Sequence, residues 1–243
     1  MADTDVTVAV AAGTDEVLRH PAAGTHLLND RERGRLARFR REPARRDFLA
    51  AHVLVRFCAG WLLGVAPAEV PFGQRCPTCR RTDHGRPLLA GRPDVHLSLS
   101  HTDGVVAAAA GRVPVGIDVE RLGRAYDPGV VDRALTAAER ALVSADADPG
   151  RAFLRQWVRK EALIKIGRTD MDALGRLDLS ELPLDGRADG APVRFEDLYV
   201  TDLTDTRLGA LVSAVATEPV RLDAALPSAA LPSAALSLPG PVF

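Results

Sequence analysis

The chain has 243 residues, enough for one large domain or for two halves of about 120 residues, and 47% of them are hydrophobic, so it can bury a core. Its 31 Lys and Arg balance 32 Asp and Glu, so the chain has no overall positive charge of the kind expected of a protein that binds duplex nucleic acid through a strongly basic face. No apolar run approaches the roughly 20 residues that span a bilayer. The start MADTDVTVAV lacks the basic region of a secretory signal, and three cysteines argue against a disulfide framework. We therefore expect a soluble, cytoplasmic protein that binds neither nucleic acid nor membranes.

The first half of the chain is predicted to contain a strand, a long helix and a β-meander. The strand lies within the first ten residues, and a basic segment with helical spacing follows it until Pro43 interrupts the pattern. The remaining predicted elements are a helix at Asp47–Leu63 ended by Gly64, a loop rich in Pro, Gly and Arg at Pro67–Pro93, and strands at Val95–Leu99, Gly104–Ala110 and Val113–Glu120.

The second half repeats this order of helix and hairpin. Thr136 and Glu139 form a capping box that opens a short helix, and Asp148 caps a longer helix that runs to Ile166. A closing pair of strands is predicted at Val193–Val200 and Leu208–Val215. The repeated order predicts an α+β fold made of two similar halves, residues 1–112 and 113–222. Residues 223–243 repeat the letters LPSAA and are interpreted as a flexible tail of low complexity.

Two acidic residues occupy alternate positions of one predicted strand, in the sequence GIDVE. Asp118 and Glu120 are two positions apart, so both carboxylates point to the same face of the strand. Like charges this close repel unless a proton or a cation lies between them, and Mg²⁺ takes oxygen ligands of this kind. The alternative is a pair of exposed acids at a sheet edge, which is common on protein surfaces.

The long helix of the second half carries two charges on its apolar side. At 100° per residue, Glu161 and Lys165 share one side with Leu154, Trp157 and Val158. Charges among apolar side chains cost desolvation free energy unless they are paired or bind a ligand. One interpretation is therefore a structural ion pair between Glu161 and Lys165, and the other is a third acid that completes a metal site.

These residues carry a resemblance to a known family. The sequence GIDVE, followed about 40 residues later by W-x-x-K-E-A-x-x-K, resembles the 4′-phosphopantetheinyl transferases, specifically the larger, surfactin-synthetase-activating (Sfp-like) type. Two further segments match in the family's order: Gly85-Arg86-Pro87, and LSLSHT at 97–102. Ser98 and Thr102 depart from the family's usual Asn and Ser there, but both keep a side chain capable of hydrogen bonding.

The resemblance implies a fold, a reaction and residue roles. The fold would be a pseudo-dimer of two similar α/β halves with the active site in the cleft between them. The reaction would move the phosphopantetheine arm of coenzyme A, the substrate, to a serine of an apo acyl or peptidyl carrier protein in polyketide or nonribosomal peptide synthesis. Asp118, Glu120 and Glu161 would hold the Mg²⁺ cofactor, Glu161 would act as the base, and Lys165 would balance charge on the leaving phosphate.

The same resemblance places five residues at the nucleotide end of coenzyme A. Ser100 and His101 match positions that contact the phosphates, with His101 at the 3′-phosphate. Arg86 takes the place of a lysine near the adenine or its phosphate, and Arg45 and Arg46 resemble the family's basic cluster for the 3′-phosphate. Arginine suits bidentate contacts with phosphate, although any one of these arginines is otherwise a solvated surface residue.

A second candidate metal site involves Cys76 and Cys79 together with His84. Structural zinc requires four ligands. The remaining cysteine, Cys58, falls inside a predicted helix, and the spacing selects none of the other histidines. The sequence therefore favours a reduced loop over a zinc site.

Two other functions remain open: a different Mg²⁺-dependent phosphoryl transfer, and a coenzyme A-binding or carrier-binding module without catalysis. The Ser-His and Gly-Arg-Pro segments disfavour the first, and the presence of all the acidic residues disfavours the second. Because carrier helices in this system are commonly acidic, we expect the carrier surface between Arg121 and Arg140, around Arg133 and the apolar Val130 and Val131. Two fused halves make a monomer sufficient.

Overall fold

The structure, a computed structural model, describes residues 7–82 and 84–226. The predicted tail lies outside the described residues from position 227 onward. Within the described ranges the chain forms both helices and strands, which confirms the predicted mixed class. The strands are β1 (Val8–Gly13), β2 (Phe72–Arg75), β3 (Arg86–Leu89), β4 (His96–Thr102), β5 (Val105–Gly111), β6 (Val115–Arg121), β7 (Pro192–Phe195), β8 (Leu198–Asp205), β9 (Ala210–Ala216) and β10 (Leu222–Asp223). The helices are α1 (Thr14–Arg19), α2 (Asp30–Leu36), α3 (Glu42–Leu63), α4 (Pro128–Ala134), α5 (Ala137–Ala145) and α6 (Pro149–Ile166).

The strands form two four-stranded sheets and one hairpin. The first sheet has the order β10-β1-β5-β4, the second has the order β6-β9-β8-β7, and β2 pairs with β3. All neighbouring strands are antiparallel except β1 and β10, which are parallel. None of the helices in the described ranges combines the length and apolar composition needed to cross a membrane.

The two four-stranded sheets pack face to face, and each carries a long helix on its outer side. In β5, Val106, Ala108 and Ala110 pack against α3, whereas Val105, Ala107 and Ala109 pack against the second sheet. Both faces of β5 are therefore buried, which explains its unbroken apolar sequence VVAAAAG. Helix α6 packs on the outer side of the second sheet through residues such as Leu163 against Val215. The small alanines between the sheets let them approach closely.

Several predicted boundaries are wrong. Pro43 does not interrupt a helix: α3 begins at Glu42 with Pro43 in its first turn, where the missing N–H is not needed. The predicted loop Pro67–Pro93 contains the hairpin β2–β3. The predicted strand Val193–Val200 is two strands, β7 and β8, because the chain turns at Glu196, whose φ is 52°. Helices α1 and α4 were not expected.

Strand β6 and helix α6 approach each other closely at Gly116. A Cβ built on Gly116 would lie 2.1 Å from the backbone oxygen of Ala162, well inside a contact distance. Only glycine therefore permits this approach, which sets how near α6 lies to the acidic strand.

We expect Gly116→Ala to lower the free energy of unfolding by about 1–3 kcal/mol, because the added methyl group must displace α6. Urea unfolding measures this change. Gly34→Ala is the matched control: Gly34 lies in α2 with nothing within 4 Å of an added Cβ, so its replacement should stabilise the protein by about 0.5–1 kcal/mol. A Gly116→Ala protein as stable as the wild type would show that the approach is not tight.

Candidate functional site

Strands β4 and β6 meet at the junction of the two sheets through hydroxyl side chains at every second residue of β4. The backbone N–H of Ile117 donates to Ser98 Oγ at 3.0 Å. Ser100 Oγ donates to Asp118 Oδ1 at 2.7 Å, and Thr102 Oγ1 donates to Glu120 Oε2 at 3.2 Å. The hydroxyls at Ser98 and Thr102 therefore both have structural partners in β6.

Asp118 lies at the centre of this junction and is buried. Its Oδ1 accepts a second hydrogen bond, from Lys165 Nζ at 2.7 Å, and the same ammonium donates to the backbone oxygen of Ile117 at 2.8 Å. Its other oxygen, Oδ2, is buried without a hydrogen-bond partner. A buried carboxylate oxygen without a partner costs free energy, so this atom is available to a cation or a donor.

Glu161 lies one turn before Lys165 on α6 and is half-buried. Burial raises its pKa, and the negative charge of Asp118 raises it further. The predicted alternative, an ion pair between Glu161 and Lys165, does not form among the described residues, because Lys165 pairs with Asp118 instead. Tyr126 contributes a buried hydroxyl without a hydrogen-bond partner, and burial followed by the charge of Glu120 raises its pKa.

Glu120 stands at the outer end of the acidic pair. Besides Thr102, it accepts from Arg124 Nη1 at 2.6 Å. Within residues 7–82 and 84–226, oxygens of Asp118, Glu120 and Glu161 do not all come within 4.8 Å of one another. A cation that used all three would therefore require Glu120 to leave Arg124 and rotate towards the other two carboxylates.

The chemistry of these groups nevertheless fits a hard divalent cation. The donors are carboxylate oxygens, and one oxygen of Asp118 is buried without a partner. The pKa of Glu161 is raised by burial and then by a like charge, so positive charge is in deficit there. Mg²⁺ commonly takes one or two carboxylates and completes its shell with waters and phosphates. The site can hold such an ion without a complete cage of protein ligands.

Two adjoining cavities open beside this cluster and share Asp47 and Arg121 in their linings. The larger, about 590 Å³, is lined by His101 and Arg124. The smaller, about 500 Å³, is lined by Arg46, which pairs with Asp15 at 2.6 Å. The structure thus brings His101 and Arg46 to neighbouring cavities, with cationic groups at both.

The other two arginines of the predicted phosphate contacts lie in different surroundings. Arg45 is exposed and pairs with Glu42 in its own helix at 3.4 Å. Arg86 opens β3 and is exposed, and its guanidinium lies against Gly167 at the end of α6: a Cβ on Gly167 would lie 2.6 Å from Arg86 Nη2. A phosphate role for either residue stays a prediction.

Lys160, next to Glu161, holds α6 in place through contacts that the sequence interpretation missed. Its side chain is fully buried, donates to Glu139 Oε2 at 2.7 Å, and also donates to three backbone oxygens. These bonds fix the turn of α6 that presents Glu161. The sequence did contain one signal for this contact, the capping box of Thr136 and Glu139. A glutamate that caps one helix can also accept a hydrogen bond from a lysine of the following helix.

Comparison with known proteins shows similarity to one superfamily over the segment that contains the acidic strand and α6. Residues 114–212, which contain Asp118, Glu120, Glu161 and Lys165, match the 4′-phosphopantetheinyl transferase superfamily (ACPS). This match covers about two fifths of the chain.

Curated relatives point to the same family. The chain is 28% identical over 132 residues to a 4′-phosphopantetheinyl transferase of Bacillus subtilis, covering 52% of this chain and 54% of that protein. It is 35% identical over 85 residues to 4′-phosphopantetheinyl transferase psf-1 of Bacillus pumilus, covering 34% and 36%. It is 28% identical over 164 residues to 4′-phosphopantetheinyl transferase HetI of a Nostoc species, covering 65% of each. The alignments thus span from about a third to just under two thirds of these relatives.

We expect Glu161→Gln to stabilise the protein when EDTA is present. The neutral amide avoids both the desolvation cost of a buried carboxylate and its repulsion by Asp118. A raised pKa in the folded state destabilises the fold as pH rises through that pKa. The gain in the midpoint of thermal unfolding should therefore be present at about pH 8 and absent below about pH 4, where the carboxyl is protonated in both states. The exposed Glu181→Gln should show no such dependence, and equal pH profiles for the two variants would contradict the argument.

Proposed function

We propose that this protein transfers the 4′-phosphopantetheine arm of coenzyme A to a serine of an apo acyl or peptidyl carrier protein of polyketide or nonribosomal peptide synthesis. The proposal includes an Sfp-like arrangement in which residues 1–112 and 113–222 form two similar halves with the site in the cleft between them. One observation carries it: Ser100, Asp118 and Lys165, from three separate signature segments, meet in direct hydrogen bonds. A monomer holds both halves and is sufficient.

The reaction makes one phosphorus–oxygen bond and breaks another. The serine oxygen of the carrier attacks the phosphorus that bears pantetheine, the bond to the bridging oxygen of the pyrophosphate breaks, and 3′,5′-bisphosphoadenosine leaves with the electron pair. Glu161, on the turn of α6 that faces Asp118, accepts the serine proton as the general base. Catalysis otherwise consists of positioning and of charge compensation.

Asp118, Glu120 and Glu161 would hold Mg²⁺, which when bound neutralises negative charge on the pyrophosphate oxygens. The unpartnered Oδ2 of Asp118 supports this assignment. Lys165 holds the other oxygen of Asp118 in place and offers its ammonium to the leaving phosphate.

The nucleotide end of coenzyme A is assigned to basic residues around the two adjoining cavities that share Asp47 and Arg121. His101 and Arg46 line these cavities, and Ser100 lies two residues from the end of β4. Arg45 and Arg86 complete the proposed set. Arginine and histidine can replace the water that hydrates phosphate oxygens with charge-assisted hydrogen bonds.

We expect the intact mass of an apo carrier protein to increase by one phosphopantetheine arm when it is incubated with this protein, coenzyme A and Mg²⁺. EDTA should abolish this increase.

Glu161→Gln should lower the transfer rate on the order of 10²-fold or more, because proton transfer loses its base. Glu181→Gln should leave the rate unchanged. Transfer by Glu161→Gln at the wild-type rate would remove Glu161 from the mechanism. Coenzyme A binding without transfer to several carriers would instead favour a non-catalytic binding module.

The carrier is proposed to bind along α4, which presents the exposed Arg133 beside the half-buried Val130 and Val131. We expect Arg133→Glu to raise the KM for the carrier several-fold and leave the KM for coenzyme A unchanged, because an acidic carrier helix would be repelled. Steady-state kinetics with each substrate varied in turn measure this split. The exposed Arg187→Glu is the control, and an unchanged carrier KM in Arg133→Glu would move the docking surface elsewhere.

A further inference from the structure

The tip of the β2–β3 hairpin brings together three side chains of metal-binding type, none of which the proposed reaction uses. A sulfur or nitrogen atom of each of Cys76, Cys79 and His84 lies within 4.8 Å of the others. Cys79 Sγ is 3.3 Å from His84 Nε2. Among the residues that the structure describes, these three make the group that meets the spacing of a metal site.

The backbone of the tip curls so that these side chains face one another. Cys76 directly follows β2, its N–H donates to the oxygen of Arg81 at 2.8 Å, and its oxygen accepts from the N–H of Arg80 at 3.0 Å. Arg80 has a positive φ of 62°. Gly85 has a φ of 101°, and a Cβ there would lie 2.4 Å from Cys76 Cα. The two arms of the hairpin therefore close tightly around the three side chains.

Cys76 and Cys79 are accessible from solvent, whereas the third cysteine, Cys58, is buried. The backbone N–H and the thiol of Cys79 donate to Cys76 and lower the pKa of its thiol to about 7. The thiolate is the form that binds metals. Cys58, by contrast, is buried in α3, and burial raises its pKa.

We propose that Cys76, Cys79 and His84 bind a Zn²⁺ ion, with water as the fourth ligand. Thiolate and imidazole are the ligands that zinc prefers, whereas the carboxylates around Asp118 suit Mg²⁺. With bond lengths of about 2.0–2.3 Å, tetrahedral ligand atoms are about 3.3–3.8 Å apart. The contact between Cys79 and His84 already has this length, and the wider separations need to close by about an ångström.

A zinc ion at the tip would link the end of β2 to the start of β3, because Cys76 follows β2 and His84 precedes β3. An isolated two-stranded hairpin is at best marginally stable in water, and β2 and β3 have only four residues each. Arg75 pairs with Arg86 in the register of the hairpin, immediately inside the metal-binding tip. Thr82 in the tip also accepts a hydrogen bond from Arg31 of α2. The ion would thus hold Arg86 in position, and a part for this arginine in coenzyme A binding rests on the proposed function.

The zinc content of the full chain, purified without chelators, tests the site directly. We expect about one zinc per chain by elemental mass spectrometry, and close to none in Cys76→Ser or Cys79→Ser. Cys58→Ser is the matched control and should keep its zinc. Replacement of the ion by Co²⁺ should give the thiolate-to-cobalt absorption of the wild type and of Cys58→Ser, and not of Cys76→Ser.

A second measurement on the wild type does not depend on how the variants fold. Zn²⁺ added to the chelated protein should slow tryptic cleavage after Arg80 and Arg81, which are exposed in the tip. Full zinc content in Cys76→Ser and Cys79→Ser would overturn the proposal. So would a wild-type protein that takes up no Zn²⁺ under reducing conditions, or whose Cys76 and Cys79 form a disulfide when isolated with Zn²⁺ present. Each result is read without a transfer assay, so failure of the zinc site and failure of the proposed reaction are distinguishable.

Discussion

The hydrogen bond between the backbone N–H of Ile117 and Ser98 Oγ aligns β4 with β6 at the junction of the two sheets, and the candidate site lies along these two strands. Side chains alternate along both strands, so the same register that satisfies Ile117 brings Ser100 opposite Asp118 and Thr102 opposite Glu120. A slip of one residue would turn both acids towards the core between the sheets and would bring Val119 to the site. The alignment of β4 with β6 therefore determines which side chains face the candidate site.

Helix α6 contributes the remaining groups, and buried charges hold it in place. Lys160 is surrounded by Glu139 and backbone oxygens, while Arg159 donates to Asp202 of β8. Removal of one partner from such a buried pair leaves an uncompensated charge and is strongly destabilising. Adjacent residues of this helix thus serve different purposes. Lys160 anchors the helix through buried hydrogen bonds, and Glu161 faces the acidic strand.

The sequence identified the elements with strong local patterns. The period of two around GIDVE, the caps of α5 and α6 and Gly64 at the end of α3 are all evident in the sequence. The β2–β3 hairpin was missed because its strands are only four residues long and contain Gly73 and Pro87, so they carry no alternation. The partner of Lys165 was also missed: Asp118 is 47 residues away in the chain, and helical spacing favoured the nearer Glu161. Spacing describes one element at a time, whereas these contacts join different elements. The metal and nucleotide roles remain predictions, since they depend on bound ligands.

The last strand of the fold returns to the first sheet. Leu222 and Asp223 pair in parallel with β1, and Leu226 N–H donates to Glu16 at 3.2 Å. The end of the second half thereby covers the edge of β1, which would otherwise present unpaired backbone groups to solvent. Exposed sheet edges recruit strands from other molecules and promote aggregation. Residues 1–112 expressed alone would have such an edge, so we expect that segment to self-associate more readily than the full chain.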